Sequence, residues 1–562
     1  MKSIDLKRSY DAIVVGSGAA GGMAAYALVK RGVEVLMLEA GPLEPIASFE
    51  HHKQPWQYPL RGELEIERKR ELEDFGHAWN QRLLIGNTKA HPYASAKGTR
   101  FKWRRVRAVG GKTLIWALIS LRLSPRDFKA ASADGWGEDW PISYDDIAPY
   151  YERVERLIGV CGNRDNLPNN PDSVFLPPVP LSCAELVMKK AVDRFEGRRL
   201  INGRAAALTV PHNGRPACHY CGHCDRICQV SASFSSLGVL MPWLLRQKNF
   251  HLRTGSVVSE VLLDKQSDRA RGVRFIDHST RKRYEAKGRV VVLGASCLET
   301  TRLLLNSRSK AWPTGLGNAS GTLGKYFSEH IITGVTIGFA PSLRGRKAAA
   351  QARPNGSPAY IPRFRNLDGT KRDFLRGYGF QFVDWANDFP SYAPLIKGFG
   401  SQLKHDIKRN FGTALAMAGF GEVLPDARNS VQIDPTIVDQ YGIPSLRFDV
   451  RRRDNEKKMA ADIAATAEEM MRAAGVEIIS GPRKGISTPG DSVHELGTCR
   501  MGLKRETSML DANNRMHELR NVFVVDGSSF TSASEKNPTL TILALAYRAA
   551  EHIAASLKRR EL

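Results

Sequence analysis

The chain has 562 residues, 42% hydrophobic and 25% charged, an ordinary globular composition that excludes a wholly disordered polymer. One core rarely grows past roughly 250–300 residues, so two or three substructures are expected. With 82 Lys and Arg against 58 Asp and Glu, the net charge is +24; such a field favours an acidic partner, an anionic substrate or surface, or nucleic acid, and says nothing about fold. No apolar run nears the ~20 residues that span a bilayer; the best, 113–121, is far too short. Residues 1–10 are polar and lack the apolar region of a secretion signal, so no signal peptide is expected in this chain.

Residues 12–15 are a continuous apolar, β-branched run, the pattern of a strand buried on both faces. Gly16-Ser17-Gly18-Ala19-Ala20-Gly21-Gly22 follows at once, then a helical stretch at 23–30 and an apolar strand at 33–38 ending in Glu39-Ala40-Gly41. In such a unit Gly16 permits the tight turn, Gly18 lets backbone approach a pyrophosphate, and Gly21 lets the helix pack on the strand. Ser17 and Ala19 complete a cradle whose helix N-terminus faces the phosphates. Glu39, 18 residues after Gly21, can take a ribose 2′-hydroxyl and would repel a 2′-phosphate. The unit predicts dinucleotide binding and does not separate FAD from NAD.

Residues 42–96 read as irregular. Next, Val109-Gly110-Gly111-Lys112-Thr113 sets a double glycine between two apolar runs, and 141–159 reads as a helix with Ser143 as N-cap. Of eight cysteines, Cys161, Cys183, Cys297 and Cys499 are scattered and read as small core residues. Cys218, Cys221, Cys224 and Cys228 instead follow the spacing C-x2-C-x2-C-x3-C, the loop spacing of ferredoxin-type iron–sulfur sites. Zinc, drawing on His219 or His223, and a disulfide-knitted loop compete with that reading. Strand-like runs follow at 257–263 and 289–294, the second leading into a helix through 305. From about 331 the texture changes to strands at 331–339, 378–383, 413–423 and 429–450, read as one largely antiparallel sheet, and then a helix at 455–474. After 490 the α/β character returns, with 521–525 leading into Asp526-Gly527 and a last helix at 538–557. The expected division is 1–330 with a cysteine-cluster loop at 211–236, a substrate-binding domain at 331–490, and 491–562 completing the dinucleotide domain from the other end.

Residues 494–502 read His-Glu-Leu-Gly-Thr-Cys-Arg-Met-Gly, and 521–540 carry Val-Val-Asp-Gly and Glu-Lys-Asn-Pro-Thr. With the cradle and the double glycine, the chain resembles the glucose–methanol–choline (GMC) oxidoreductase family from about residue 10 to 555. The resemblance implies an α/β fold: a Rossmann-like FAD-binding domain plus a substrate domain on a mainly antiparallel sheet. It makes His494 the catalytic base and sets Asn537 where members carry a second His or an Asn. Alcohol oxidation removes a hydroxyl proton and a carbinol hydride; flavin N5 takes the hydride, and an imidazole near neutral pKa suits the proton. An Asn amide can donate to the same oxygen. By the same resemblance Val109, Gly110 and Thr113 meet the cofactor, Val258 meets the adenine edge, and Asp526 and Gly527 lie against the phosphate and ribityl chain. Pro538 and Thr539 open a helix whose dipole can stabilise negative charge on the reduced ring. Ile115 stands where some members attach FAD to a histidine, so non-covalent FAD is expected.

The segment looks closest to the branch of gluconate, fructose and glucoside 3-dehydrogenase flavoprotein subunits. That branch implies a sugar, glycoside or polyol substrate, with the glycoside 3-hydroxyl as the specific expectation. It also implies a three-iron or four-iron cluster on the four clustered cysteines, a small partner subunit and a cytochrome c-type acceptor. Export would be periplasmic, carried by that partner; without one the enzyme would be cytoplasmic. An oxygen-using oxidase and a non-catalytic flavoprotein relay are the alternatives. Basic clusters at 97–107, 344–347, 371–376 and 451–453 read as a solvated surface or as a dock for an acidic partner. No nucleic-acid module is recognised, so no nucleic-acid partner is expected.

Overall fold

The computed structural model describes residues 4–49, 53–264, 269–348, 352–367, 371–383, 392–483 and 485–562. Its larger sheet centres on the strand Ser9–Val15, flanked in parallel by Val35–Leu38 and by Arg283–Leu293. Ala12, Ile13 and Val14 are fully buried on both faces of the strand, which is why the run is continuous rather than alternating. Phe250–Arg253 extends one side, and Val522–Val524 adds to Arg283–Leu293 in parallel. The strands Ser256–Leu263 and Ala270–Asp277 complete the sheet as an antiparallel meander.

The helix after the glycine turn runs Ala19–Lys30, earlier than the expected start at 23. Gly21 and Gly22 fall inside its first turns because a Cβ on Gly21 would meet the Gly16 carbonyl oxygen at 2.0 Å. Against this helix lies the last one, Thr539–Lys558. The two ends of the chain therefore build one unit.

A second sheet has the strand order Tyr360–Ile361, Tyr378–Val383, Ala414–Glu422, His330–Phe339, Glu477–Ser480, antiparallel throughout. The helix Asp454–Ala473 covers it, burying Met459, Ile463 and Met470. Gly419 allows this close approach, since a Cβ there would sit 2.2 Å from Ile463. One expectation needs correction: the 429–450 hairpin is not part of this sheet. Its strands Ser430–Val438 and Pro444–Asp449 pair with each other and, in parallel, with Ala94–Ser95. Pro425, just past the end of Ala414–Glu422, offers no N–H to continue a ladder. Phe448 then stacks on Phe101 at 4.1 Å between centroids, inside the larger core.

The helix expected at 141–159 is Tyr144–Ile158, and the Ser143 side chain accepts from the Asp146 N–H at its start. Cys161, Cys297 and Cys499 are buried as expected, but Cys183 is exposed. It opens the helix Cys183–Val192 on its outward side, while Ala184 and Glu185 beside it are buried.

Candidate active site

A cavity of about 410 Å³ runs from the glycine turn to His494. At one end Gly16 has φ +90°, and a Cβ there would lie 2.6 Å from the Gly294 carbonyl oxygen. The Ser17 N–H and hydroxyl donate to Glu39 Oε2 at 3.0 and 2.6 Å, and the Gly41 N–H donates to Oε1 at 2.9 Å. Burial pushes the Glu39 carboxyl up, against the pull of these donors. The double-glycine segment is tied onto the same turn: the Gly110 N–H donates to Ser17 Oγ at 3.1 Å, and Thr113 Oγ1 donates to the Gly110 carbonyl at 2.6 Å. Gly18, Ala19, Ala40 and Val258 line this half of the cavity. Asp526, Gly527, Pro538 and Thr539 line the other. Gly21, Val109 and Gly110 are buried behind the wall and shape it rather than face it. Burial pushes the Asp526 carboxyl up, while it accepts from the hydroxyls of Thr300 at 2.5 Å and Ser528 at 2.6 Å.

At the far end His494 and Asn537 come together from two separate loops. Asn537 Nδ2 lies 3.4 Å from His494 Nε2, and Asn537 Oδ1 accepts from Gln381 Nε2 at 2.6 Å. On the opposite edge of the imidazole, His494 Nδ1 is 2.9 Å from His330 Nδ1, and His330 Nε2 is 2.9 Å from the Ser534 carbonyl. Burial, then the Lys112 charge, holds His494 well below the ordinary imidazole range. Burial brings His330 down to about 4. Lys112 Nζ meets Glu495 Oε2 at 2.5 Å, while Glu495 Oε1 is buried without a hydrogen-bond partner.

These features fit FAD. The cradle is closed to side chains at Gly16, a carboxylate stands at the ribose position, and a helix N-terminus opens on the cavity at Thr539. An orphaned buried acceptor on the wall calls for a ligand donor.

Several functional neighbours escaped sequence reasoning. His330 and Gln381 sit on strands of the second sheet, and no motif spacing links them to residue 494. Lys112 and Glu495 adjoin motif residues, and their charge was the available signal. Part of the basic run 97–107 is internal, although Lys97 and Arg100 are exposed. Lys102 and Arg104 pair with Asp491 at 3.0 and 2.9 Å, and Arg107 with Glu299 at 3.3 Å, all with largely buried side chains. Arg105 and Arg107 lie on the cavity wall, not on a docking surface. Despite burial, Arg302, Arg107 and Arg105 hold Glu299 down to about 2.

The cysteine loop does not present a ligand set. Cys221 is exposed, Cys218, Cys224 and Cys228 are partly buried, and all are free thiols. Cys218 Sγ accepts from the Tyr220 N–H at 3.3 Å, and Cys224 Sγ accepts from the Asn355 N–H at 3.5 Å while packing on the apolar cluster around Leu118. Burial pushes the Cys218 thiol up to about 11. Among the described residues, no three His, Cys, Asp or Glu side chains converge where a metal ion could sit. This arrangement lends no support to an iron–sulfur cluster or to zinc, and no disulfide knits the loop. Among the same residues no helix is long and apolar enough to cross a membrane.

Fold and site define a flavin-dinucleotide oxidoreductase. The chain belongs to the GMC oxidoreductase family, whose N-terminal model matches residues 10–332 and whose C-terminal model matches 425–546. It is 30% identical to 2-methyl-1,2-propanediol dehydrogenase of Mycolicibacterium austroafricanum, over 97% of this chain and 95% of that one. It is 28% identical to paromamine 6'-oxidase of Streptomyces fradiae (99% and 93%), and 26% identical to the fructose dehydrogenase large subunit of Gluconobacter japonicus (98% and 99%). Formate oxidase of Aspergillus oryzae has the same fold, with TM-score 0.65 at 12% identity, covering 98% of this chain and 99% of that one. The protein is thus an FAD-type enzyme acting on CH–OH groups of alcohol- or sugar-like substrates.

Proposed function

We propose that this enzyme is a dehydrogenase that oxidises an alcohol carbon of a sugar, glycoside or polyol, with His494 as the base and Asn537 as its partner. The carrying observation is the 3.4 Å approach of His494 Nε2 and Asn537 Nδ2 at the end of a cavity that begins at the dinucleotide cradle. FAD, when bound, supplies the hydride acceptor. The residues do the rest. Asn537, its amide oriented by Gln381, donates to the substrate oxygen, and His494 removes that oxygen's proton. Burial keeps His494 neutral at physiological pH, so it is ready to accept. The Thr539 helix N-terminus favours negative charge nearby. The His494→Ala variant should retain FAD and lose roughly 100- to 10,000-fold in the rate of FAD reduction by substrate. Reduction within about tenfold of wild type would exclude the base role.

The glycoside 3-hydroxyl is the specific substrate in this proposal, and likeness to sugar-active relatives supports it; a panel of glycosides and polyols, with product analysis at each carbon, tests it. Electrons then pass to a cytochrome-type acceptor rather than to oxygen. Likeness to a protein named as a dehydrogenase large subunit supports this, together with a small partner subunit; carried export to the periplasm is part of the same proposal. An iron–sulfur relay rests on the cysteine spacing and on the dehydrogenase resemblance, without a metal-ion group in the loop to add to them. Iron and acid-labile sulfide analysis of anaerobically purified protein decides it: stoichiometric zinc, or no metal, ends the relay.

A further inference from the structure

The partners of His330 are unequal, and that inequality fixes where the protons sit on both rings. His330 Nε2 faces the Ser534 carbonyl at 2.9 Å. A carbonyl oxygen only accepts, so Nε2 carries the hydrogen. His330 is fully buried, with no carboxylate among its hydrogen-bond partners, so the ring is neutral and its Nδ1 is a bare lone pair. That lone pair lies 2.9 Å from His494 Nδ1, which must therefore be the donor. A neutral His494 with Nδ1 protonated has its own lone pair at Nε2, the atom facing Asn537 Nδ2 at 3.4 Å. The Asn537 amide agrees: its oxygen is occupied by Gln381 at 2.6 Å, which turns the NH2 group, a donor, toward Nε2.

We infer that His330 is a positioning residue that assigns the tautomer of His494, holding the proton on Nδ1 and leaving Nε2 bare toward the substrate. This rests on the reading of His494 as base and adds which nitrogen acts. When the alcohol O–H breaks, its proton forms a new N–H bond at Nε2, and the imidazolium keeps its Nδ1–H on the His330 lone pair. His330 is not a relay. Its only other polar atom donates to a carbonyl, which cannot take a proton, so the abstracted proton cannot leave through it. A partner histidine thus does the orienting work that a carboxylate does elsewhere, without a negative charge that would raise the basicity of His494.

The direct test is 15N NMR of the FAD-loaded protein labelled at its 14 histidines, with His494 assigned by its loss in the His494→Ala variant. At neutral pH without substrate, His494 should show a protonated Nδ1 and an unprotonated Nε2. A protonated Nε2, or an averaged mixture, overturns the inference. Because no substrate is present, this result is independent of whether His494 proves to be the base. A second arm compares two variants. His330→Leu should slow FAD reduction roughly 100-fold, within the range of general-base effects, with substrate affinity unchanged. His330→Asn, whose Oδ1 can accept from His494 Nδ1, should recover at least about tenfold of that loss. Equal losses in both variants would make His330 a packing residue and overturn the assignment. If neither variant folds, the NMR of the unaltered protein decides alone.

Discussion

As the proposed base, His494 acts only while neutral, and two surroundings keep it so: burial and the Lys112 cation. Each lowers its pKa, so the protonated, inactive form gains population only below the ordinary imidazole range. The rate of FAD reduction should accordingly be flat through neutral pH and fall only on the acid side, with a midpoint below 6.5. Removing the Lys112 charge as Lys112→Met should move that midpoint upward, because a cation that disfavours the imidazolium is lost and Glu495 is left unpaired. Stopped-flow rates across pH measure both. An unmoved or lowered midpoint in the variant would contradict the electrostatic account. At this scale the sequence was half legible. The sequence pointed to His494, Asn537 and Glu39 because their neighbours in the chain form motifs; it did not point to His330 and Gln381, which reach His494 and Asn537 from strands of the second sheet.

The glycine turn and its helix carry the cofactor end. A Cβ on Gly21 would fall 2.0 Å from the Gly16 carbonyl oxygen, so a larger residue must lift the helix Ala19–Lys30 off the turn. Gly21→Val should therefore yield protein with little bound FAD, measured as the flavin-to-protein ratio after purification. A normal ratio would mean that the helix tolerates displacement. The elements themselves were largely readable, because buried parallel strands appear as unbroken β-branched runs and helix starts carry caps such as Ser143. Failure came at the 429–450 hairpin. Its alternation suits either sheet, and its partner Ala94–Ser95 lies far away in the chain.

At the scale of the whole molecule, part of the positive charge is turned inward. A net +24 suggested docking surfaces, yet Arg104, Arg105 and Arg107 turn inward to pair with Asp491 and Glu299. Exposed basic residues remain at Arg346 and Lys347 and at Lys371 and Arg372. Carried export follows from the proposed partner subunit, which would supply the export signal for the folded complex. Fractionation of cells with and without a neighbouring small-subunit gene should show periplasmic activity only when both are expressed. Cytoplasmic activity in both strains would refute it.

By itself the sequence determined the family, the dinucleotide cradle and the two-ended assembly, and it pointed to His494 and Asn537, because each is encoded by residues close in the chain or by motifs with fixed internal spacing. Only the tertiary structure decided that, among the described residues, the cysteine loop forms no metal-ion ligand group, that the central arginines are internal, and that His330 and Gln381 flank His494 and Asn537. Spacing along a chain sets which side chains a loop can bring together. Which way they point depends on the apolar cluster or carboxylate that folding places beside them.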